Sequence, residues 1–271
     1  MNTCQQIERS LIKTYRKTIW NPFIGALKEY KMIAPGDRIA VCLSGGKDSF
    51  VLAKCLQELQ RHGSEVPFEL EFIAMDPGYR PENRQKIQQL MTQLDLPGHI
   101  FDSPIFSVVE KQAGSPCYLC ARMRRGYLYK YAQELGCNKI ALGHHFDDVI
   151  ETTLMSMLYA AEMRTMMPKL HSTNFPGMEL IRPLYMVREK DITNWSRYNG
   201  LEFLRCACSV TDSSREDSGS KRAEVKALLT ELRKTNKQID INIFRSAQNV
   251  NLETILSYHK GEDYHTFLDE Y

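Results

Sequence analysis

Apolar residues recur at helical spacing near the start of the chain. Ile7, Leu11, Ile12, Tyr15 and Ile19 fall on one face and Lys13, Arg16 and Lys17 on the other, which predicts an amphipathic helix ending before Pro35-Gly36. Beyond that boundary the pattern switches between short β-branched runs and longer amphipathic stretches. The spacing predicts strands over 38–43, 68–75 and 139–142, with a short one around Ile100 and Phe101. Between and after them it predicts helices over 49–61, 84–94, 123–135 and 149–161. Strands alternating with crossover helices argue for an α/β fold, a parallel sheet covered by helices on both faces. Such sheets bind ligands at the carboxyl ends of their strands, so the chemistry is expected just after residues 43, 75 and 142.

Downstream the text is less regular. Residues 211–220 are rich in Ser and Asp and read as a surface loop, 221–234 as a charged helix, and 253–271 as a polar tail to which the pattern assigns no element. The expected organisation is an N-terminal helical lead-in over 1–35, a main domain over 36–210, and a loop with a C-terminal helical extension over 211–271. No internal repeat is present.

With 271 residues the chain buries roughly 70 to 75% of its unfolded surface, so its core needs no covalent staples. That matters for its eight cysteines. No apolar run is long enough to span a membrane and the first ten residues lack the apolar core of a signal peptide, so a cytoplasmic protein with no membrane partner is expected. In a reducing compartment clustered cysteines read as metal ligands or redox groups. The 35 Lys+Arg against 33 Asp+Glu leave a net charge of +2, so any basic surface for a polyanion must be local.

Directly after the first predicted strand stands Ser44-Gly45-Gly46-Lys47-Asp48-Ser49, opening into a helix. Two glycines let consecutive backbone N–H groups point at one concave spot, and the helix N-terminus adds partial positive charge, which suits a pyrophosphate. The Walker A loop requires Ser or Thr after its lysine; here Asp48 follows Lys47, so this is a different phosphate loop. The hexapeptide resembles the signature of the PP-loop ATP pyrophosphatases, which cleave ATP between the α and β phosphates. The resemblance implies a Rossmann-like fold of the adenine nucleotide alpha hydrolase kind. It also implies that Ser44, Gly45, Gly46 and Ser49 cradle the β and γ phosphates while Lys47 supplies a point charge. Asp48 is then expected to help hold Mg²⁺, and Lys47 and Asp48 are the catalytic candidates. Met75-Asp76-Pro77-Gly78-Tyr79, after the second strand, would present Met75 backbone to adenine. Gly143-His144-His145-Phe146-Asp147-Asp148, after the fourth, would bring Gly143 to the α phosphate, with Asp147 or Asp148 binding Mg²⁺ or capping the next helix.

Cys117-Tyr118-Leu119-Cys120 places two thiolates within reach of one metal, and Cys206-Ala207-Cys208 offers further ligands ninety residues on. Cys42, Cys55 and Cys137 read as buried small hydrophobes. The run Cys117-x-x-Cys120-x-Arg122-x-Arg124-Arg125-Gly126 continues into Leu142-Gly143-His144-His145-x-Asp147-Asp148. With Pro168-Lys169-Leu170, Ile181-Arg182-Pro183-Leu184 and Arg188-Glu189-Lys190-Asp191-Ile192, it resembles the TtcA family of tRNA 2-thiocytidine synthetases over roughly residues 36–206. Members carry a 4Fe-4S cluster on three cysteines with one iron open, which implies Cys117, Cys120 and Cys206 as ligands. The family reads Pro-Cys-x-x-Cys where this chain has Arg205-Cys206-Ala207-Cys208, which leaves Cys208 as the alternative third ligand.

The resemblance implies an ATP-dependent tRNA sulfurtransferase. It would adenylate O2 of an anticodon-loop cytidine at tRNA position 32 and replace that oxygen with sulfur, releasing AMP and pyrophosphate. Arg122, Arg124 and Arg125, with Lys130 and the interleaved Tyr127, Tyr129 and Tyr131, are candidates for RNA phosphate contact and base stacking. The implied partners are tRNA, a sulfur donor such as a cysteine desulfurase or free sulfide, and a second copy of the chain, against which the lead-in helix would pack. The competing expectations are thiolation of another tRNA base or a small molecule, and a non-catalytic RNA-binding module with a four-cysteine zinc site.

Overall fold

The computed structural model describes residues 3–109, 116–204, 220–269 and 271. Six strands form the main sheet: β1 (Asp37–Leu43), β2 (Phe68–Asp76), β3 (Gly98–Asp102), β4 (Lys139–Ala141), β5 (Lys169–His171) and β6 (Glu179–Ile181), in the order β3-β2-β1-β4-β6-β5. β1 is parallel to β2 and β4, β2 to β3, and β4 to β6; β5 alone is antiparallel, on β6. From β1 the chain works outward through β2 to β3, then returns to β4 on the other side of β1. The order therefore reverses between β1 and β4, and the crevice outside their carboxyl ends is where such a sheet takes its ligand. Ile39 to Leu43 of β1 are all buried, as a central strand covered on both faces requires.

The helices are α1 (Thr3–Arg9), α2 (Asn21–Glu29), α3 (Lys47–His62), α4 (Pro81–Gln93), α5 (Ile105–Val109), α6 (Pro116–Glu134), α7 (Phe146–Ala160), α8 (Glu189–Tyr198), α9 (Lys221–Thr235) and α10 (Ile239–Ser246). Two π-helical turns, Ser10–Thr14 and Arg16–Trp20, join α1 to α2 in place of one regular helix. The chain divides into two compact units, one of Met1–Asp148 with Met167–Glu216 and one of Val149–Met166 with Asp217–Tyr271.

In the first unit the apolar face of the N-terminal segment is covered by the chain itself. Ile7, Leu11 and Ile19 are buried, and Ser10 Oγ accepts hydrogen bonds from Trp195 Nε1 (2.9 Å) and Asn199 Nδ2 (3.1 Å) of α8 and its end. Burial on α8 already removes these three side chains from water within one chain, so any contact of the lead-in helix with a second copy would use its other positions.

Two lysines inside this unit are fully engaged. Lys54 of α3 meets Glu8 Oε1 (2.7 Å), Gln57 Oε1 (2.5 Å) and the Leu94 carbonyl (3.0 Å). Lys139 of β4 meets Asp37 (2.9 Å), Glu179 (2.9 Å) and the Met32 carbonyl (2.8 Å). An ammonium has three donors, so both satisfy the condition for burying a cation.

The second unit contains most of α7, then α9 and α10. Ser220 caps α9, its Oγ accepting from the Ala223 N–H at 3.2 Å, and buried Glu151 of α7 faces Arg222 (3.6 Å) and Lys226 (3.7 Å) of α9. The polar tail holds a hairpin, β7 (Ser257–Lys260) against β8 (Asp263–Thr266), turned at Gly261 with φ +69°. Among the described residues no helix is long and apolar enough to cross a membrane.

Candidate functional site

Between the end of β1 at Leu43 and the start of α3 at Lys47 there is room for only Ser44, Gly45 and Gly46, and the loop closes on its own serines. The Ser44 N–H donates to Ser49 Oγ (3.1 Å), and Ser49 Oγ donates to the Gly46 carbonyl (2.8 Å). Gly45 has φ +88°, a conformation side chains disfavour, and a Cβ there would sit 2.7 Å from Leu204 Cδ1. The Leu204 N–H donates to the Gly45 carbonyl at 3.0 Å, so the strap after α8 lies on the loop. Gly46, extended, occupies the N-cap position of α3 and no side chain caps that helix. Its first N–H groups are thus left for an incoming anion, and the helix dipole favours one.

The second wall comes from the segment after β4. A Cβ at Gly143 would lie 2.9 Å from both the Asp48 carbonyl carbon and the Ser49 nitrogen, so the two loops meet backbone to backbone. His145 and Asp148 bond reciprocally: the His145 N–H donates to Asp148 Oδ2 (3.0 Å) and the Asp148 N–H to His145 Nδ1 (3.3 Å). This is a cap for α7. Asp147 reaches elsewhere, its Oδ2 accepting from the Glu189 N–H (2.8 Å) at the start of α8 while Arg188 Nη1 stands 3.7 Å from Oδ1. The Arg188 guanidinium also lies 4.1 Å over the Phe146 ring. Asp148 thus bonds at the start of α7, the helix that follows it, whereas Asp147 reaches the start of α8, a role the sequence did not offer.

Lys47 and Asp48 stand at the mouth. Lys47 Nζ is 3.1 Å from Glu189 Oε1 and 3.2 Å from Asp48 Oδ1. Burial pulls its pKa down, and the two carboxylates outweigh that and hold it above the ordinary lysine value. Asp48 Oδ1 is sealed from solvent with no hydrogen-bond donor in bonding geometry among the described residues, and His145 Nε2 lies 3.9 Å away. The Lys47 ammonium is thus its nearest cation, close by but not aligned for a hydrogen bond, which leaves this oxygen able to ligate a metal.

The third wall is the segment after β2. Asp76 Oδ1 accepts from the N–H groups of Gly78 (2.9 Å) and Tyr79 (2.7 Å), and its Oδ2 pairs with Arg84 Nη1 (2.8 Å). Burial would raise this carboxyl, but those three bonds together hold it below the ordinary aspartate value. The Met75 side chain is buried with Ile105 and Phe106, so what it offers the crevice is backbone. Arg124 is held by the Tyr79 hydroxyl (3.2 Å) and lies 5.8 Å from the Phe106 ring centroid, whereas Arg122 and Arg125 are exposed. Two of the expected base-stacking tyrosines are corrected. Tyr129 is buried and stacks on Phe175 (5.0 Å), and the partly buried Tyr131 stacks on Phe101 (4.0 Å), so both rings are taken up by the chain's own aromatic side chains under α6.

Cys117 and Cys120 lie three apart in the first turns of α6, the spacing that brings two positions to one helix face. The Cys120 thiol is half-buried and packs against the Met75, Ile105 and Phe106 cluster. Cys206 and Cys208 lie outside the described residues; Leu204, two residues before Cys206, is seated on Gly45. Cys42, Cys55 and Cys137 are buried as expected, and burial pushes the Cys42 thiol up to about 12 and the Cys137 thiol to about 11. Arg188, a candidate for RNA or ATP contact from the sequence, is here at Asp147 and Phe146. Glu189 and Leu204 complete the site without having been singled out by role, their signal being membership of, or proximity to, the charged block after residue 187.

A PP-loop domain family matches residues 19–233. The tRNA-cytidine(32) 2-sulfurtransferase of Coxiella burnetii is 34% identical over 257 residues, covering 94% of this chain and 94% of its own length. The enzyme of that name from Geobacter sulfurreducens is 35% identical, covering 86% of this chain and 90% of its own, and that of Alcanivorax borkumensis 37%, covering 83% and 78%. Among solved structures, the U34-tRNA thiolase NcsA of Methanococcus maripaludis with its [4Fe-4S] cluster shares the fold, with a TM-score of 0.65, 21% identity, and coverage of 84% of this chain and 76% of its own.

Proposed function

The chain belongs to the tRNA-cytidine(32) 2-sulfurtransferase family of PP-loop proteins, and from that membership we propose that it is an ATP-dependent tRNA thiolase making 2-thiocytidine. The observation that carries the reading is the uncapped N-terminus of α3, with Gly143 packed directly on its first turn. A polyphosphate fits there because backbone amides and the helix dipole, not a single side chain, neutralise it. In this reading Ser44, Gly45, Gly46 and Ser49 hold the β and γ phosphates, Gly143 admits the α phosphate, and Met75 backbone faces adenine. Asp48 fits a magnesium ion through its sealed Oδ1, and Asp148 supports the Gly143 segment through its bond to His145.

The chemistry follows from leaving groups. Oxide cannot leave C2 of cytosine; joined to the α phosphorus, with pyrophosphate departing, that oxygen leaves as part of AMP when sulfur bonds to C2. Cys117 and Cys120 fit a shared metal by their spacing, with Cys206, or Cys208, as third ligand after the strap that rests on the phosphate loop. These cysteines would hold a 4Fe-4S cluster, whose chemistry would be to supply a soft sulfur nucleophile. The protein's own residues bind, orient and exclude water. The base must be unstacked to reach the crevice, which suits an anticodon-loop nucleotide, and the exposed Arg122 and Arg125 supply phosphate contacts while Arg124 fixes Tyr79. The sulfur donor is a cysteine desulfurase or free sulfide, the protein works in the cytoplasm, and it pairs as a homodimer through a surface other than the buried lead-in face.

Incubating anaerobically purified protein with unmodified tRNA, Mg-ATP and sulfide should yield 2-thiocytidine and AMP in equal amounts by mass spectrometry of nucleosides. Iron and acid-labile sulfide should be lost in Cys120→Ala and in only one of Cys206→Ala and Cys208→Ala. AMP formation with no thiolated nucleoside, or bound zinc without labile sulfide, would overturn the reading.

A further inference from the structure

Lys47 lies between two carboxylates, that of its neighbour Asp48 and a distant one. Its ammonium is 3.1 Å from the Glu189 carboxylate, 142 residues away in sequence, on the first turn of α8. Glu189 is not there by accident of a mobile surface. Its backbone N–H is fixed by Asp147 Oδ2 at 2.8 Å, the Phe146 N–H donates to the Val187 carbonyl at 2.9 Å, and Arg188 is spread over the Phe146 ring. The segment after β4 therefore clamps the start of α8, and the start of α8 clamps the phosphate-loop lysine. Lys47 and Glu189 keep only 25% and 34% of their side-chain surface, so the pair is shielded enough to matter and open enough to exchange.

We propose that Glu189 is a positioning residue that holds Lys47 in place of the phosphates when the loop is empty, competes with the polyphosphate for that ammonium, and recaptures it as pyrophosphate leaves. The proposal rests on the reading that this loop receives the β and γ phosphates of ATP. Its physical basis is that one ammonium cannot serve a carboxylate and a phosphate fully at once, and that a carboxylate beside a polyanion site repels the polyanion. The pair holds the lysine charged, its pKa lying above the ordinary value, so the competition is between two anions for a fixed cation and not a protonation switch. The bond from Asp147 goes to the Glu189 main chain, and the bond to Lys47 comes from its side chain. Substituting the side chain therefore leaves the clamp on α8 standing.

The test is titration calorimetry with inorganic pyrophosphate as the probe, on the full-length protein and on Glu189→Gln, Glu189→Asp, Lys47→Ala and the Lys47→Ala/Glu189→Gln pair. Glu189→Gln should bind pyrophosphate about 2- to 5-fold more tightly, the scale of one partly exposed ion pair and its removal. Glu189→Asp, which restores the charge, should return toward the wild type. In the Lys47→Ala background the Glu189→Gln gain should vanish, because the competition has lost its object. In turnover, Glu189→Gln should lower both the KM for ATP and kcat, with stronger inhibition by added pyrophosphate; a merely structural residue would lower kcat and raise KM. An equal gain with and without Lys47 would reduce Glu189 to general repulsion and overturn the proposal, as would unchanged binding in Glu189→Gln, while either result leaves ATP binding at the loop intact. Failure of every form to bind either pyrophosphate or ATP would overturn both.

Discussion

Lys47 and Lys54 stand seven residues apart on the same helix, both ion-paired, and they could hardly be used more differently. Lys54 has no exposed surface and spends its three donors on Glu8, Gln57 and the Leu94 carbonyl. Lys47 sits at the open end of α3 between two carboxylates, with a quarter of its surface in water and an uncapped helix terminus beside it. Charge and pairing alone do not separate a structural lysine from a ligand-binding one. What separates them is whether the partners are permanent: Lys54 is surrounded by groups with nowhere to go, and Lys47 by groups that a stronger anion displaces.

The contrast breaks most visibly at Lys54. Lys54→Ala leaves the Glu8 carboxylate without its shortest partner and opens a cavity, which should cost about 3–5 kcal/mol and lower the urea midpoint sharply. If the variant melts like the wild type, the buried lysine is not structural. Lys47→Ala should do the reverse, leaving the midpoint near the wild type while cutting thiolation about 10²- to 10³-fold, the loss typical of one preorganised charge donor at a transition state. A stability loss matching that of Lys54→Ala would erase the distinction.

Gly143→Ala sharpens it without touching a charge. A methyl 2.9 Å from two backbone atoms of the phosphate loop must push β4's loop and α3 apart, at about 1–3 kcal/mol, and should weaken ATP binding. Gly126→Ala, on α6 with nothing within 4 Å, is the control and should be neutral or better. The smallest effect is expected at Asp76. Its carboxyl is held below the ordinary value, so its stabilisation is complete above the unfolded-state pKa and is lost as pH falls through the lowered one. Urea midpoints measured downward from about pH 5 should therefore fall less steeply in Asp76→Asn than in the wild type. Parallel curves would show that Asp76 carries no such linkage.

Much of the sheet was legible because its strands and helices have clean periods. Residues 38–43 and 68–75 are continuous apolar or alternating runs, and the structure places β1 and β2 within a residue of those bounds. The phosphate loop was legible because the chemistry is local: six consecutive residues carry it. β5 and β6 were not: each is three residues, and unlike the equally short β4 neither stands between two predicted crossover helices that would mark it as a strand. The role of Asp147 was hidden for another reason. Its bond to Glu189 spans 42 residues and depends on α8 returning to the sheet end, which no local pattern encodes. Tyr129 and Tyr131 were misplaced because their stacking partners, Phe175 and Phe101, come from distant segments of the chain, which no local pattern encodes.

The bond between Ser10 and Trp195 ties the first turns of the chain to residues 185 positions later. At synthesis rates of about 5–20 residues per second, the amphipathic segment spends on the order of 10 to 40 seconds outside the ribosome before its cover exists. During that interval Ile7, Leu11 and Ile19 have no native shelter, so this segment of the nascent protein is a natural client for a holding chaperone until α8 is made.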